Sequence, residues 1–137
     1  MDTGRPSSYS GLADKTVFIT GGGSGIGAAF TRAFAAQGAL VGFVDIAEEA
    51  SRALIVEIQK ETGTAPLFIA CDLRDIAALQ AAIEKIRIEL GDIGVLINNA
   101  GNDDRHKLDQ VTPAYWDDRI SVNLRHMFFA AQTSCHK

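Results

Sequence analysis

The chain is poor in the residues that staple or stiffen small folds: 2 Cys, 3 Pro and 1 Trp stand among 137 residues. Cys71 and Cys135 lie far apart, without a CxxC pair or a histidine at ligand spacing. That excludes a zinc knot or redox dithiol, and no metal site is expected. Two reduced thiols fit a cytoplasmic protein. No stretch approaches the roughly 18 apolar residues that cross a bilayer. Met1 to Gly11 is polar, with no apolar stretch after its basic residue, so it does not read as a secretory leader. A basic excess is missing too. Thirteen basic against seventeen acidic residues leave a net charge of −4, which argues against nucleic-acid or anionic-membrane partners. What is present, 47% apolar residues and 13 glycines in one domain's length, points to a globular fold. Such a length buries about two-thirds of its unfolded surface, without disulfide or metal.

Strand and helix patterns alternate along the chain. Thr16–Thr20, Leu40–Val44, Ala65–Cys71 and Val95–Asn98 are short apolar runs bounded by turn residues. Between them, apolar residues recur at helical spacing. Ile26, Ala29, Phe30, Ala33 and Phe34 are expected to form one inward face; Ala50, Leu54 and Ile58 a second; Ile76, Leu79, Ile83, Ile86 and Leu90 a third. Gly38, Gly63 and Gly91 stop these helices, and Asp75 can cap the third. Apolar strands alternating with helices mean a parallel sheet covered on both faces. Right-handed crossovers then give an α/β, Rossmann-type doubly wound fold with strand order 3-2-1-4. Residues 1–14 are expected to be a flexible lead-in and 15–137 a partial Rossmann domain. A last helix is expected after Pro113, with Trp116 and Ile120 packing inward.

The chemistry concentrates at Thr20-Gly21-Gly22-Gly23-Ser24-Gly25-Ile26-Gly27, between the first strand and first helix. Glycines there permit positive φ, bring a pyrophosphate close to the backbone and let helix and strand pack tightly. The helix offers unpaired N–H groups and a positive dipole end, and Ser24 adds a hydroxyl. Asp45 ends the second strand eighteen residues after Gly27, near the spacing of an acid that binds an adenosine ribose. Its carboxylate would accept from both ribose hydroxyls and repel a 2′-phosphate. No Arg or Lys stands in the glycine turn or directly beside Asp45, so NAD is expected over NADP. Capping the next helix is a second role open to Asp45.

With TGGGSGIG, Asp45, Cys71-Asp72-Leu73 and Asn98-Asn99-Ala100-Gly101 in this order, the chain resembles the short-chain dehydrogenase/reductase family. Thr20, Gly21, Gly25 and Gly27 meet the family spacing TGxxxGxG. The resemblance implies that Asp72 and Leu73 hold the adenine ring. It implies that Asn99, Ala100 and Gly101 border the nicotinamide ribose. Ile26 belongs to the same cofactor turn. Asn123, in Ser121-Val122-Asn123-Leu124, matches the family's helical asparagine, which helps organise a proton-relay water. Independently, Asp72 can cap the next helix, and Asn98 and Asn99 can tie neighbouring loops together. The stretches NNAGNDDRHKL, AYWDDRI and VNLRHM look like the NAD-dependent aldose 1-dehydrogenases of the family, which implies a sugar substrate. Asn102 to Lys107 is a dense polar run that suits a polyhydroxylated molecule, or simply faces water. Nothing in the sequence places His106 against a proton.

Family members carry their chemistry on a Ser and a Tyr-x-x-x-Lys pair beyond the asparagine helix, and that helix contributes to a homo-oligomeric assembly. Tyr115 and Arg119 have the spacing of the pair but precede Asn123 and present Arg for Lys. They are read as structural. The chain is therefore expected to hold the cofactor half of an NAD-dependent oxidoreductase and to be marginally stable and inactive alone. A non-catalytic NAD-binding or interaction module uses the same residues. An S-adenosylmethionine-dependent methyltransferase shares the glycine turn and acid but does not call for TGxxxGxG or NNAG.

Overall fold

The computed structural model describes residues 7–135. Four parallel strands, β1 (Thr16–Thr20), β2 (Leu40–Asp45), β3 (Leu67–Ala70) and β4 (Ile93–Asn98), form one sheet in the order β3-β2-β1-β4. Helices α1 (Gly25–Ala36), α2 (Glu48–Thr62) and α3 (Ile76–Leu90) make the crossovers. After β4 come α4 (Pro113–Ile120), a π-helical segment (Ser121–Arg125) and α5 (His126–Cys135). The α/β class and strand order are those the alternating pattern requires. Of the lead-in expected over 1–14, residues 1–6 lie outside the described residues, as do His136 and Lys137 of the final TSCHK. Ser10–Leu12 forms a 3-10 turn. Tyr9 N donates to Gln37 Oε1 at 2.8 Å, and Gln37 Nε2 to the Ser7 carbonyl at 3.0 Å.

Every residue of β1 is buried, because its side chains feed two cores. Val17 and Ile19 pack with Val41, Phe43, Leu54 and Ile58 on one face. Phe18 packs with Val44, Leu79, Ile83, Ile86 and Ala130 on the other. Alternate side chains of a strand point to opposite faces, so both helical layers bind the same central strand. Each such fully buried large side chain contributes about 1.5–3 kcal/mol.

The α3 face is the expected one, with Leu79, Ile83 and Ile86 fully buried and Asp75 accepting from Ala78 N at 3.0 Å. Of the expected α1 face only Phe34 packs against the core, partly buried; the other four residues are corrected. Ile26 is 73% exposed and Phe30 38%, and Ala29 and Ala33 face solvent. Gly27, Thr31 and Ala35 point inward instead. Small residues let the helix backbone approach the sheet beside the glycine turn, where a large side chain has no room. The Thr31 hydroxyl is satisfied on the carbonyls of Gly22 (2.9 Å) and Gly27 (3.0 Å). On α2, Ser51 takes the buried position expected for Ala50, which is exposed. Trp116 and Ile120 are corrected likewise: Trp116 is 61% exposed and Ile120 36%. The start of α4 is as expected, with Pro113 in its first turn and Thr112 Oγ1 accepting from Tyr115 N at 3.2 Å.

Candidate functional site

A cleft of about 690 Å³ opens across the carboxyl ends of the strands. Ligands of open α/β sheets bind at this edge, where the crossovers diverge from the central strand. Gly21, Ser24, Ile26 and Gly27 line it from the β1–α1 turn, and Asp45, Asp72 and Leu73 from the ends of β2 and β3. Asn99, Ala100 and Gly101 close it beyond β4. Four separate motifs thus converge on one space. Gly25 and Asn123 stand off its wall.

The glycine turn is shaped by two constraints. Gly25 begins α1 at φ +53°, a left-handed conformation that suits glycine, and a Cβ there would meet nothing within 4 Å. At Gly27 a Cβ would lie 1.7 Å from the Gly21 carbonyl oxygen, so the helix can seat here only on glycine. Ser24 flanks α1 at its N-cap position and is exposed; its hydroxyl makes no cap hydrogen bond.

Asp45 fastens this turn to β2. Its Oδ2 accepts from Gly23 N and its Oδ1 from Ala47 N, both at 2.9 Å. The carboxylate does not cap α2, whose N-cap position is Ala47 without a side-chain bond; it closes a turn ahead of the helix and has a place on the cleft wall. A carboxylate has about four acceptor sites, so two remain for a ligand's hydroxyls. Ile46 and Ala47, the next residues on the wall, carry no charge.

At the neighbouring strand end, Asp72 is engaged by Arg74. Arg74 N and Nε donate to Oδ1 at 3.0 Å, Nε also reaches Oδ2 at 3.1 Å, and Nη2 donates to Oδ2 at 2.7 Å. Hydrogen bonds from Arg74 hold the Asp72 carboxyl below the usual carboxylate range, and Asp72 in turn raises the guanidinium. Arg74 Nη1 continues to Asp118 Oδ1 on α4 at 3.3 Å, and Asp118 Oδ2 receives Arg119 Nη2 at 2.5 Å. Arg74 and Arg119 both line the cleft. Sequence reading missed Arg74 and gave Arg119 a structural role only. The Asp118 link joins residues 44 apart, for which no local pattern exists. Next to this chain, burial first, and then Asp75 and Asp72, push the Cys71 thiol up to about 11.

The asparagines act as ties. Asn99 Nδ2 donates to the carbonyls of Thr20 (3.1 Å) and Gly21 (3.0 Å), and the Thr20 hydroxyl receives both Asn99 N and Ala100 N at 3.1 Å. Asn98 Nδ2 donates to the Met127 carbonyl at 3.3 Å. Asn123, in the π-helical segment, clasps the backbone of Asn102: Oδ1 accepts from its N at 2.7 Å and Nδ2 donates to its O at 3.0 Å. Such single-turn widenings accumulate at functional sites. His126 follows directly, fully buried. Its ring nitrogens make no hydrogen bond of good geometry, although the Val122 and Ala100 carbonyls favour its charged form. Burial outweighs them and lowers its pKa.

The polar run after β4 is docked on α4. The Tyr115 hydroxyl donates to the Asp104 carbonyl at 3.2 Å, and Arg119 Nη1 to Asp104 Oδ2 at 3.4 Å. The His106 ring stacks on Tyr115 at 3.9 Å between centroids, and the Arg119 guanidinium lies 5.4 Å from the Tyr115 ring centre. Tyr115 and Arg119 thus serve as loop supports, as their position ahead of Asn123 suggests. Among the described residues no helix is long and apolar enough to cross a membrane, and no cluster of His, Cys, Asp and Glu is arranged to hold a metal ion.

Residues 15–137 match the short chain dehydrogenase family. The chain is 56% identical over 124 residues to the D-xylose 1-dehydrogenase of Caulobacter vibrioides, covering 90% of this chain and 48% of that protein. It is 52% identical over 126 residues to a Rhizobium meliloti protein named as a probable galactose dehydrogenase, covering 92% and 49%. A dehydrogenase/reductase structure from Sinorhizobium meliloti superposes with a TM-score of 0.86 at 36% identity, over 89% of this chain and 48% of that one. A blue fluorescent protein from a metagenomic library, solved with NADPH, gives 0.83 at 34%, over 90% and 51%. The chain spans about half the length of the curated relatives it matches. With the family match running over residues 15–137 and the fold shared with its solved structures, the chain belongs to the short-chain dehydrogenase family.

Proposed function

We propose that this chain is the NAD-binding half of an oxidoreductase that oxidises an aldose, such as D-xylose, at its anomeric carbon to the lactone. Asp45 carries the reading. An acid at the end of β2, fastened to the glycine turn through Gly23 N and flanked on the wall by uncharged Ile46 and Ala47, suits two ribose hydroxyls and opposes a 2′-phosphate. The N–H groups of the turn and of the first turn of α1 would receive the pyrophosphate. Leu73 and Asp72 would border the adenine, and Asn99 to Gly101 the nicotinamide ribose. The cofactor, when bound, supplies the hydride acceptor.

This chain's own residues then hold that acceptor in place. Thr20 and Asn99 lock the β4 loop to the β1 turn, so the two ends of the cofactor meet one rigid floor. Asn123 fixes Asn102, the first residue of the polar run, and Tyr115 and Arg119 hold Asp104, with His106 stacked on Tyr115. That run, Asn102 to Lys107, presents the mixed donors and acceptors that a sugar requires. Support for the sugar comes from the D-xylose and galactose activities named for the two curated relatives. The protein is expected to act as a homo-oligomer on a soluble substrate, without nucleic-acid or membrane partners.

The test is a calorimetric titration of the full-length protein with NAD and NADP, followed by an assay of NADH formation on pentoses and hexoses. The expected result is tighter binding of NAD and turnover of an aldose. Tighter NADP binding sinks the Asp45 reading. NAD binding with no turnover of any sugar favours a non-catalytic NAD-binding module.

A further inference from the structure

We propose that His126 is a positioning residue for the nicotinamide end of the cleft: its ring N–H takes up the Ala100 carbonyl and so sets the peptide between Ala100 and Gly101. The inference rests on the dinucleotide reading above. His126 opens α5 directly after the π-helical segment and is fully buried. Neither ring nitrogen has a hydrogen bond of good geometry, yet the ring lies against two carbonyls, those of Val122 and Ala100. Both of those residues line the cleft. A buried polar group without a partner is an exception that calls for a reason.

A neutral imidazole has one N–H to give. Val122 lies within a helical run, where the N–H groups of the next turn serve its carbonyl. Ala100 lies in the loop after β4. Its N–H goes to the Thr20 hydroxyl, but among the described residues no hydrogen bond reaches its carbonyl. An acceptor without a donor thus faces a donor without an acceptor. Neighbouring ties hold the two elements together around this pair: Asn98 Nδ2 donates to the Met127 carbonyl at 3.3 Å, and Asn123 clasps Asn102. A trans peptide sets its C=O and N–H on opposite sides. A carbonyl held inward by His126 therefore turns the Gly101 N–H outward, to the cleft that Gly101 lines, and no hydrogen bond among the described residues claims that N–H. The His126 contact closes when the cofactor loads the loop.

The experiment is calorimetric titration of the full-length protein and its His126→Leu, His126→Gln and His126→Asn variants. The probes are NAD and ADP, which lacks the nicotinamide and its ribose. His126→Leu keeps the bulk and loses the N–H, so NAD binding is expected to weaken about 3- to 10-fold, the range of one net hydrogen bond. ADP binding should change by less than about twofold, since its contacts lie at the other end of the cleft. His126→Gln presents an amide N–H near the place of Nε2 and His126→Asn near that of Nδ1. One of the two is expected to restore NAD binding to within about twofold of the wild type. In the wild type itself, nitrogen-edited NMR should show NAD slowing exchange of the His126 ring N–H with water, and ADP leaving it unchanged. Full NAD affinity in His126→Leu overturns the proposal, as does an equal loss for NAD and ADP, which looser packing alone would give. Equal weakness in all three variants, or a ring N–H indifferent to NAD, removes the hydrogen bond. A wild type that binds neither probe overturns the dinucleotide reading itself. NAD binding that ignores His126 overturns only the positioning.

Discussion

The Gly21 carbonyl oxygen sits 1.7 Å from the point where a side chain on Gly27 would begin. The obstacle is backbone, which cannot swing aside as a side chain would. Gly27→Ala is expected to cost more than about 2 kcal/mol, the middle of the range for overpacking, and to abolish NAD binding by splaying the turn. Urea unfolding and NAD titration check it. A stable variant that binds NAD normally would show that the turn yields.

Asp45 holds Gly23 N and Ala47 N, so its removal acts twice. Asp45→Ala should weaken NAD binding about tenfold or more, from the loss of charged-acceptor hydrogen bonds of about 1.5–3 kcal/mol. It should also lower the melting temperature, through the lost ties to the turn and to α2. Calorimetry separates the two effects, because NADP affinity should fall less than NAD affinity. An equal fall in both would leave Asp45 a purely structural acid.

Cys71 and Cys135 should differ sharply toward an alkylating reagent. Burial is the first cause, with Asp75 and Asp72 adding, that pushes the Cys71 thiol up to about 11. At pH 8 about one molecule in a thousand carries its thiolate there. Cys135 is exposed on α5. Iodoacetamide followed by peptide mass spectrometry is expected to find Cys135 modified and Cys71 intact. Comparable rates at both would show the β3 end to be open.

His126 makes stability depend on pH in a definite direction. Burial lowers its folded pKa below 6.5, so on acidification the unfolded chain takes up the proton first. Stability is fully present above about pH 6.5 and falls as pH drops toward the folded value, by up to about 1.4 kcal/mol for each pH unit. Asp72 and Asp118, whose pKa values are lowered below 3.8, add a loss of the same sign only at much lower pH. Urea midpoints between pH 5 and 7.5 should show the slope, and His126→Gln should flatten it. A pH-independent wild type refutes the buried neutral imidazole.

What the sequence disclosed was what depends on near neighbours. The glycine turn, the Asp75 cap and the strand order follow from spacing and alternation, and all stand in the structure. The inward face of α1 was hidden, because that helix packs through Gly27, Thr31 and Ala35 while Ile26 and Phe30 stay outside. Apolar periodicity assumes that the largest residues face the core, and close backbone approach reverses the rule. Trp116 and Ile120 misled for another reason: α4 buries none of its residues, so it has no inward face for them to occupy. The Arg74–Asp118 link was out of reach, since it joins two elements brought together only by the folded sheet. Asn99 was recognisable as special, yet its main contacts, to Thr20 and Gly21, depend on two strand ends lying side by side.

The imidazole–phenol–guanidinium pile of His106, Tyr115 and Arg119 has an evolutionary corollary. Because α4 supplies two of its three layers, exchanging residues on that short helix would reshape the entrance while the glycine turn between β1 and α1 stays untouched.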